Sequence, residues 1–425
     1  MLQTIPHRSQ RWLFRMALCS CALILTVIGL LVGPQIAKTW KLQQSAKLLQ
    51  DRRNVEAKEL LQSLRTAYPQ DPVTLLRLAR VHRRLGEFES MSAILREAAK
   101  QKAPVKAIEL ETTLAKAQVG NVNEVVRDLS KLLVDPGDDG PDICEAYANG
   151  YFLLNKIDFA FRIIEAWKAD FPRDPQPYLF AGVYFEQIGI SSKSIPALRR
   201  ALELAPHRTE IRVRLAKQLC DTQEAEQSMV EANAVLRADP TNEAAKVIRA
   251  KCLNVSGKSA DAIQVLEEVL STNPQYVDAL VALGQLLIET RQFESAVRSL
   301  TRAVEIRPFD SGIRYAFANA LVGAGAQDEA KRHFQIVSEA KQQLAMVNQL
   351  KDSVSKTPNS ADLRYEIGWR LLKFDDPSQG EMWLRGALEV APDHEKSRAA
   401  LIEYYKSTGK TDLVRLYSAN QKSQD

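Results

Sequence analysis

The chain is poor in residues that do chemistry. Its 425 residues include five cysteines and five histidines, and neither type is grouped. Cys19 and Cys21 lie in an apolar N-terminal stretch, while Cys144, Cys220 and Cys252 stand singly, with no Cys-x-x-Cys pair. That pattern excludes a zinc knuckle and a disulfide framework, and single thiols in helical sequence read as core residues. His7, His82, His207, His333 and His394 are equally dispersed. The patterns HExxH, GxxxxGKS/T, GxSxG and GxGxxG are all missing. The expectation is therefore a protein that is not an enzyme, with no cofactor, no metal and no small-molecule substrate.

Charge of one sign is also lacking. Of 57 basic residues three precede position 33, so the remainder exceeds the 52 acidic residues by two. A nucleic-acid binder would present a strongly basic face, and none is expected here. No long low-complexity tract interrupts the chain.

What is present is periodic. Pro172, Pro206, Pro240, Pro274 and Pro308 recur at one constant interval, and Pro358 to Pro392 repeats it. A first small position precedes each proline by the same distance, at Ala148, Gly182, Ala216, Ala250, Gly284 and Gly368. A second lies halfway between it and the proline, at Ala160, Ser194, Ser228, Ala262, Ala296 and Gly380. Small residues on two helices let their axes approach, and large residues such as Leu287 and Leu300 fill the space between units. Apolar spacings of three and four, as in Ile263, Leu266 and Leu270, are helical. A proline after the second helix removes a donor and turns the preceding residue away from helix. Such a chain has no closed core, and each unit buries its apolar face on its neighbours.

This unit resembles the tetratricopeptide repeat, a 34-residue helix–turn–helix; the segment Val277 to Pro308 is the best copy. The resemblance implies an all-α, right-handed α-solenoid of stacked repeats, here preceded by one transmembrane helix. We divide the chain into a basic tail (1–15), a transmembrane anchor (16–33) and irregular repeats (38–136), with units ending near Pro69, Pro104 and Pro136. A regular array (141–308) follows, then a unit with an extended second helix (309–358), a further repeat (359–392) and a capping hairpin (393–425).

Residues 16–33 carry no charge. As a helix they span ~27 Å, close to the ~30 Å of a bilayer's hydrocarbon core. Arg8, Arg11 and Arg15 precede them, which favours an uncleaved single-pass anchor with the repeats on the non-cytosolic, periplasmic side. A cleaved signal, a lipoprotein signal and a presequence are the competing readings.

In the repeat family the residue after the first small position faces the inner surface. Here it is Asn149, Val183, Lys217, Lys251, Gln285 and Trp369, with Phe317 in the unit after Pro308 and Arg80 in an early unit. Arg77, Arg80 and Arg84 share a helix face and form a local positive patch. The resemblance implies protein partners, with an extended peptide lying along this surface. Lys217 and Lys251 would hold its carboxylates, and Phe317 and Trp369 would anchor its apolar side chains. The clamp of Lys, Asn and Arg that some family members carry is echoed here by Asn149 alone, beside acidic Asp142 and Glu145. The sequence thus reads as a membrane-anchored scaffold for an envelope or secretion complex. The alternative is a cytosol-facing adaptor regulating a membrane-bound protease or transferase.

Overall fold

A computed structural model of the chain describes residues 35–119, 122–153, 156–357 and 359–419. Among them the structure is helical, apart from turns and one 3-10 segment at Gly137–Asp139. The helices pair along the chain into a solenoid. The expected anchor over 16–33 lies outside the described residues. Among the described residues no helix is long and apolar enough to cross a membrane. This corrects the expected placement of the repeats on the periplasmic side of a single-pass protein, since no described helix supplies the span.

The prolines end helices as the local chemistry requires. Asp239, Asn273, Arg307 and Ala391 each precede a proline and take extended conformations, such as φ −122°, ψ 75° at Arg307. Turns within the pairs are equally regular. Gly189, Gln223, Gly257, Arg291 and Gly325, spaced on the same interval as the prolines, have φ of 72°, 66°, 77°, 60° and 84°. This left-handed conformation suits glycine, and Gln223 and Arg291 adopt it without that advantage.

The chain forms two compact units, one running to Lys116 and the other beginning at Ala117. The first holds residues 35–50 (α1), Asn54–Ala67 (α2), Pro72–Arg84 (α3), Phe88–Lys100 (α4) and most of Val105–Gln118 (α5). Leu61, Leu64, Leu75, Leu78 and Ile94 are its core. Burying each contributes about 1.5–3 kcal/mol.

The second unit continues with Val122–Leu132 (α6), Gly140–Leu153 (α7), Ile157–Asp170 (α8), Gln176–Gln187 (α9) and Ser191–Leu204 (α10). Thr209–Asp221 (α11), Ala225–Ala238 (α12), Glu243–Val255 (α13) and Ser259–Thr272 (α14) follow. Val277–Glu289 (α15), Phe293–Ile306 (α16) and Ser311–Gly323 (α17) complete the regular stretch. Within a pair the helices meet at the small positions. A Cβ on Gly284 would lie 2.4 Å from Leu300 Cγ, and one on Gly182 2.8 Å from Leu198. Where the second small residue is serine it also bonds. Ser194 Oγ donates to the Gly182 carbonyl at 2.9 Å and Ser228 Oγ to the Ala216 carbonyl at 2.7 Å.

Gln327–Lys356 (α18) breaks the pattern with 30 residues against 14 in α16. The excess adds about 24 Å of helix. It does not project freely. Its first turns pack on α17 through Ala330 and Phe334. Its last turns, through Val347 and Val354, meet Ile367 and Leu371 of Ala361–Phe374 (α19) and Trp383 of Pro377–Val390 (α20). Glu395–Ser407 (α21) and Thr411–Ala419 (α22) close the unit. α20 also touches α7, far back along the chain. Charges gather there: burial and the Arg364 guanidinium push the Lys156 ammonium below its usual range, and Glu389 partly restores it.

Candidate functional site: the inner face of the second unit

The curvature of the regular stretch follows from which helices touch. α11 contacts α13, α13 contacts α15 and α15 contacts α17, whereas no comparable contact joins α12, α14 and α16. The odd-numbered helices therefore form the inner layer. On that layer two columns of side chains recur. Val213, Val247, Val281 and Tyr315 stand one repeat apart, and Lys217, Lys251, Gln285 and Asn319 stand one turn further along each helix. Residues four apart share a helix face, so an apolar column and a polar column run side by side. Tyr315 is 52% exposed, Val213 and Val281 are half-buried, and Val247 is buried. The apolar column was absent from the sequence reading, although the same repeat interval reaches it.

The expected site residues differ in what they already hold. Lys217 is exposed, but its Nζ lies 3.3 Å from Glu186 Oε1, and Arg214 Nη1 donates to the other oxygen at 3.0 Å. Lys251 is half-buried and has no ion pair among the described residues. Gln285 is exposed; Asn149 and Val183 are half-buried. Trp369 is half-buried, edge-on to Phe374 at 6.0 Å, with Lys373 Nζ 5.4 Å from its ring centre.

Phe317 requires a correction. It is 5% exposed, packed in the core with its ring edge-on to His333 at 4.9 Å. One repeat interval on from Gly284 is Ala318, so half-buried Asn319 holds the equivalent position.

The arginines of the first unit also have internal work. Arg77 Nη1 donates to the Leu42 carbonyl at 2.5 Å and to Ser45 Oγ at 3.1 Å. Arg84 Nη1 donates to the Leu49 carbonyl at 2.7 Å. Glu111 takes Arg80 Nε at 2.6 Å on one oxygen and Arg83 Nε at 2.7 Å on the other. The expected positive patch is thus a set of staples joining α3 to α1 and α5.

Histidine chemistry is local as well. His82 Nδ1 sits 2.5 Å from Glu87 Oε2, and His394 caps α21 through Ser397. Among the described residues no group of three His, Cys, Asp or Glu side chains is placed to hold a metal ion.

Residues 256–311 match the family model of the tetratricopeptide repeat. No curated protein matches the chain. Among solved structures it is similar to PilW, a widely conserved type IV pilus biogenesis factor, at 19% identity, covering 46% of this chain and 91% of that one with a TM-score of 0.41. It is similar to TTC0263, a thermophilic repeat protein of Thermus thermophilus, at 19% identity, covering 47% and 99% with a TM-score of 0.35. A third is YrrB, a repeat protein with an unusual peptide-binding site, at 22% identity, covering 48% and 97% with a TM-score of 0.27.

Proposed function

We propose that this chain of stacked tetratricopeptide-type hairpins is a non-enzymatic scaffold. Its inner layer, α11 to α17, binds an extended segment of a partner protein. The observation that supports the reading is the pair of columns, apolar and polar, repeated once per hairpin. Packed helices lie about 8–10 Å apart. An extended chain advances about 3.3 Å per residue, so each repeat meets the ligand about every third residue. Apolar ligand side chains fit over Val213, Val281 and Tyr315. A ligand carboxylate fits Lys251, whose ammonium has no ion pair among the described residues, whereas at Lys217 it must compete with Glu186.

The test uses peptides selected from a displayed library against the full chain. Affinity is then measured for wild type, Lys251→Glu, Lys217→Glu and Arg298→Glu, the last on exposed α16. Loss of a charge-assisted contact, about 1.5–3 kcal/mol, predicts a fall of roughly tenfold or more for Lys251→Glu. A smaller fall is expected for Lys217→Glu and none for Arg298→Glu. Equal losses at Lys251 and Arg298 would move the ligand off the inner layer and defeat the proposal.

A further inference from the structure

Two thiols from successive repeats, far apart in sequence, are neighbours in the fold. Cys220 lies in the last turn of α11 and Cys252 in α13, adjacent helices of the inner layer. Both side chains enter one apolar cluster with Ala216, Ala232, Ile248 and Met229. Cys252 is fully buried, with its Sγ 3.2 Å from Ser228 Oγ, while Cys220 is partly exposed. The neighbouring Cys220 thiol, with help from Ser228 and the Lys251 ammonium, draws the Cys252 thiol down against burial, and Cys252 as the neighbour in turn pushes Cys220 up. Cys144 makes the contrast: it too is buried, and burial followed by Asp170 and Asp174 pushes it up to about 12.

We propose that Cys220 and Cys252 are an oxidisable dithiol that a small-molecule disulfide converts into a bond between two successive repeats. The pair shares one proton, and its transfer to Cys252 leaves the partly exposed Cys220 sulfur as the attacking thiolate. Attack on the reagent RSSR breaks its S–S bond, forms Cys220–S–S–R and releases RS⁻. The buried Cys252 sulfur, having given its proton to RS⁻, then attacks the Cys220 sulfur and expels the second RS⁻. Two electrons pass from the cysteine sulfurs to the reagent; the one proton the pair holds ends on the first RS⁻, and the second RS⁻ takes its proton from solvent. The product ties α11 to α13 directly beside Lys251, and it forms whether or not a peptide binds the inner layer.

The experiment treats the folded full chain with oxidised glutathione, alkylates remaining thiols under denaturing conditions and digests with trypsin without reduction. The expected product is Gln218–Arg237 joined to Cys252–Lys258, with loss of both free thiols, an alkylated Cys144 and reversal by a reducing agent. In urea the same treatment should give unselective mixed disulfides. In Cys252→Ser, glutathione should remain on Cys220. If that variant does not fold, the wild-type digest decides alone. Cys220 left free, held as a stable glutathione adduct in wild type, or joined to another cysteine would overturn the proposal.

Discussion

Glu111 offers the sharpest test of how the first unit is held. Its carboxylate is 2% exposed and takes one Nε bond from Arg80 and one from Arg83, which is itself 0% exposed. Glu111→Ala removes both acceptors at once and leaves the Arg83 guanidinium buried with its Nε unmatched. Breaking a buried ion pair from one side costs about 3–5 kcal/mol. Because both arginines keep further contacts, the lower end applies. At ~1.4 kcal/mol per tenfold, a loss of about 3 kcal/mol raises local opening about 100-fold. Hydrogen exchange should show protection falling by that factor in peptides of α3 and α5, while those of α13 to α16 stay unchanged, since repeat arrays transmit perturbation mainly to neighbours. Replacing the whole group, as Arg80→Met, Arg83→Met and Glu111→Leu together, should recover most of the loss, because the desolvation cost disappears with the charges. A Glu111→Ala effect below about 1 kcal/mol, the range of solvent-exposed pairs, would refute the reasoning.

Two further outcomes follow from packing and titration. Gly284→Ala gains about 1 kcal/mol in helix propensity but drives a Cβ to 2.4 Å from Leu300 Cγ, and overpacking costs about 1–3 kcal/mol. Chemical denaturation should show a net loss that disappears in a Leu300→Ala background. His333 is held below its usual pKa of 6.5 by burial and then by Arg314, whose Nη1 lies 3.1 Å from His333 Nδ1. The unfolded chain therefore binds a proton that the folded one refuses. The stability contribution is full above the unfolded value and falls as pH drops below it. Melting temperature should decline from about pH 7.5 to about pH 5.5, and less steeply in His333→Gln.

The hairpins were legible because their cause is local. A proline extends the residue before it, and a small residue permits close approach, wherever in the array it stands. Phe317 was misread because the interval from Pro308 to Pro358 carries the surplus of α18, so the repeat has to be counted forward from Gly284. The Arg77, Arg80 and Arg84 patch failed for another reason. Charges on one helix face are visible in sequence, but Leu42, Leu49 and Glu111, which satisfy them, come from other helices. The same distance hid the Cys220–Cys252 pair. Val213, Val247, Val281 and Tyr315 share the repeat interval in sequence, but only the packing of the odd-numbered helices on one another sets them in one layer.

The length of α18 acts as an indexing shaft for everything that follows it. Each residue inserted there would rotate α19 and α20 by about 100° and carry them ~1.5 Å. One residue more would swing that hairpin off α7. Seven more would restore its facing to within about 20° yet shift it about 10 Å along the shaft. Exposed turns elsewhere absorb an extra residue locally, but in this helix the residue count itself selects which distant surface the last hairpins meet.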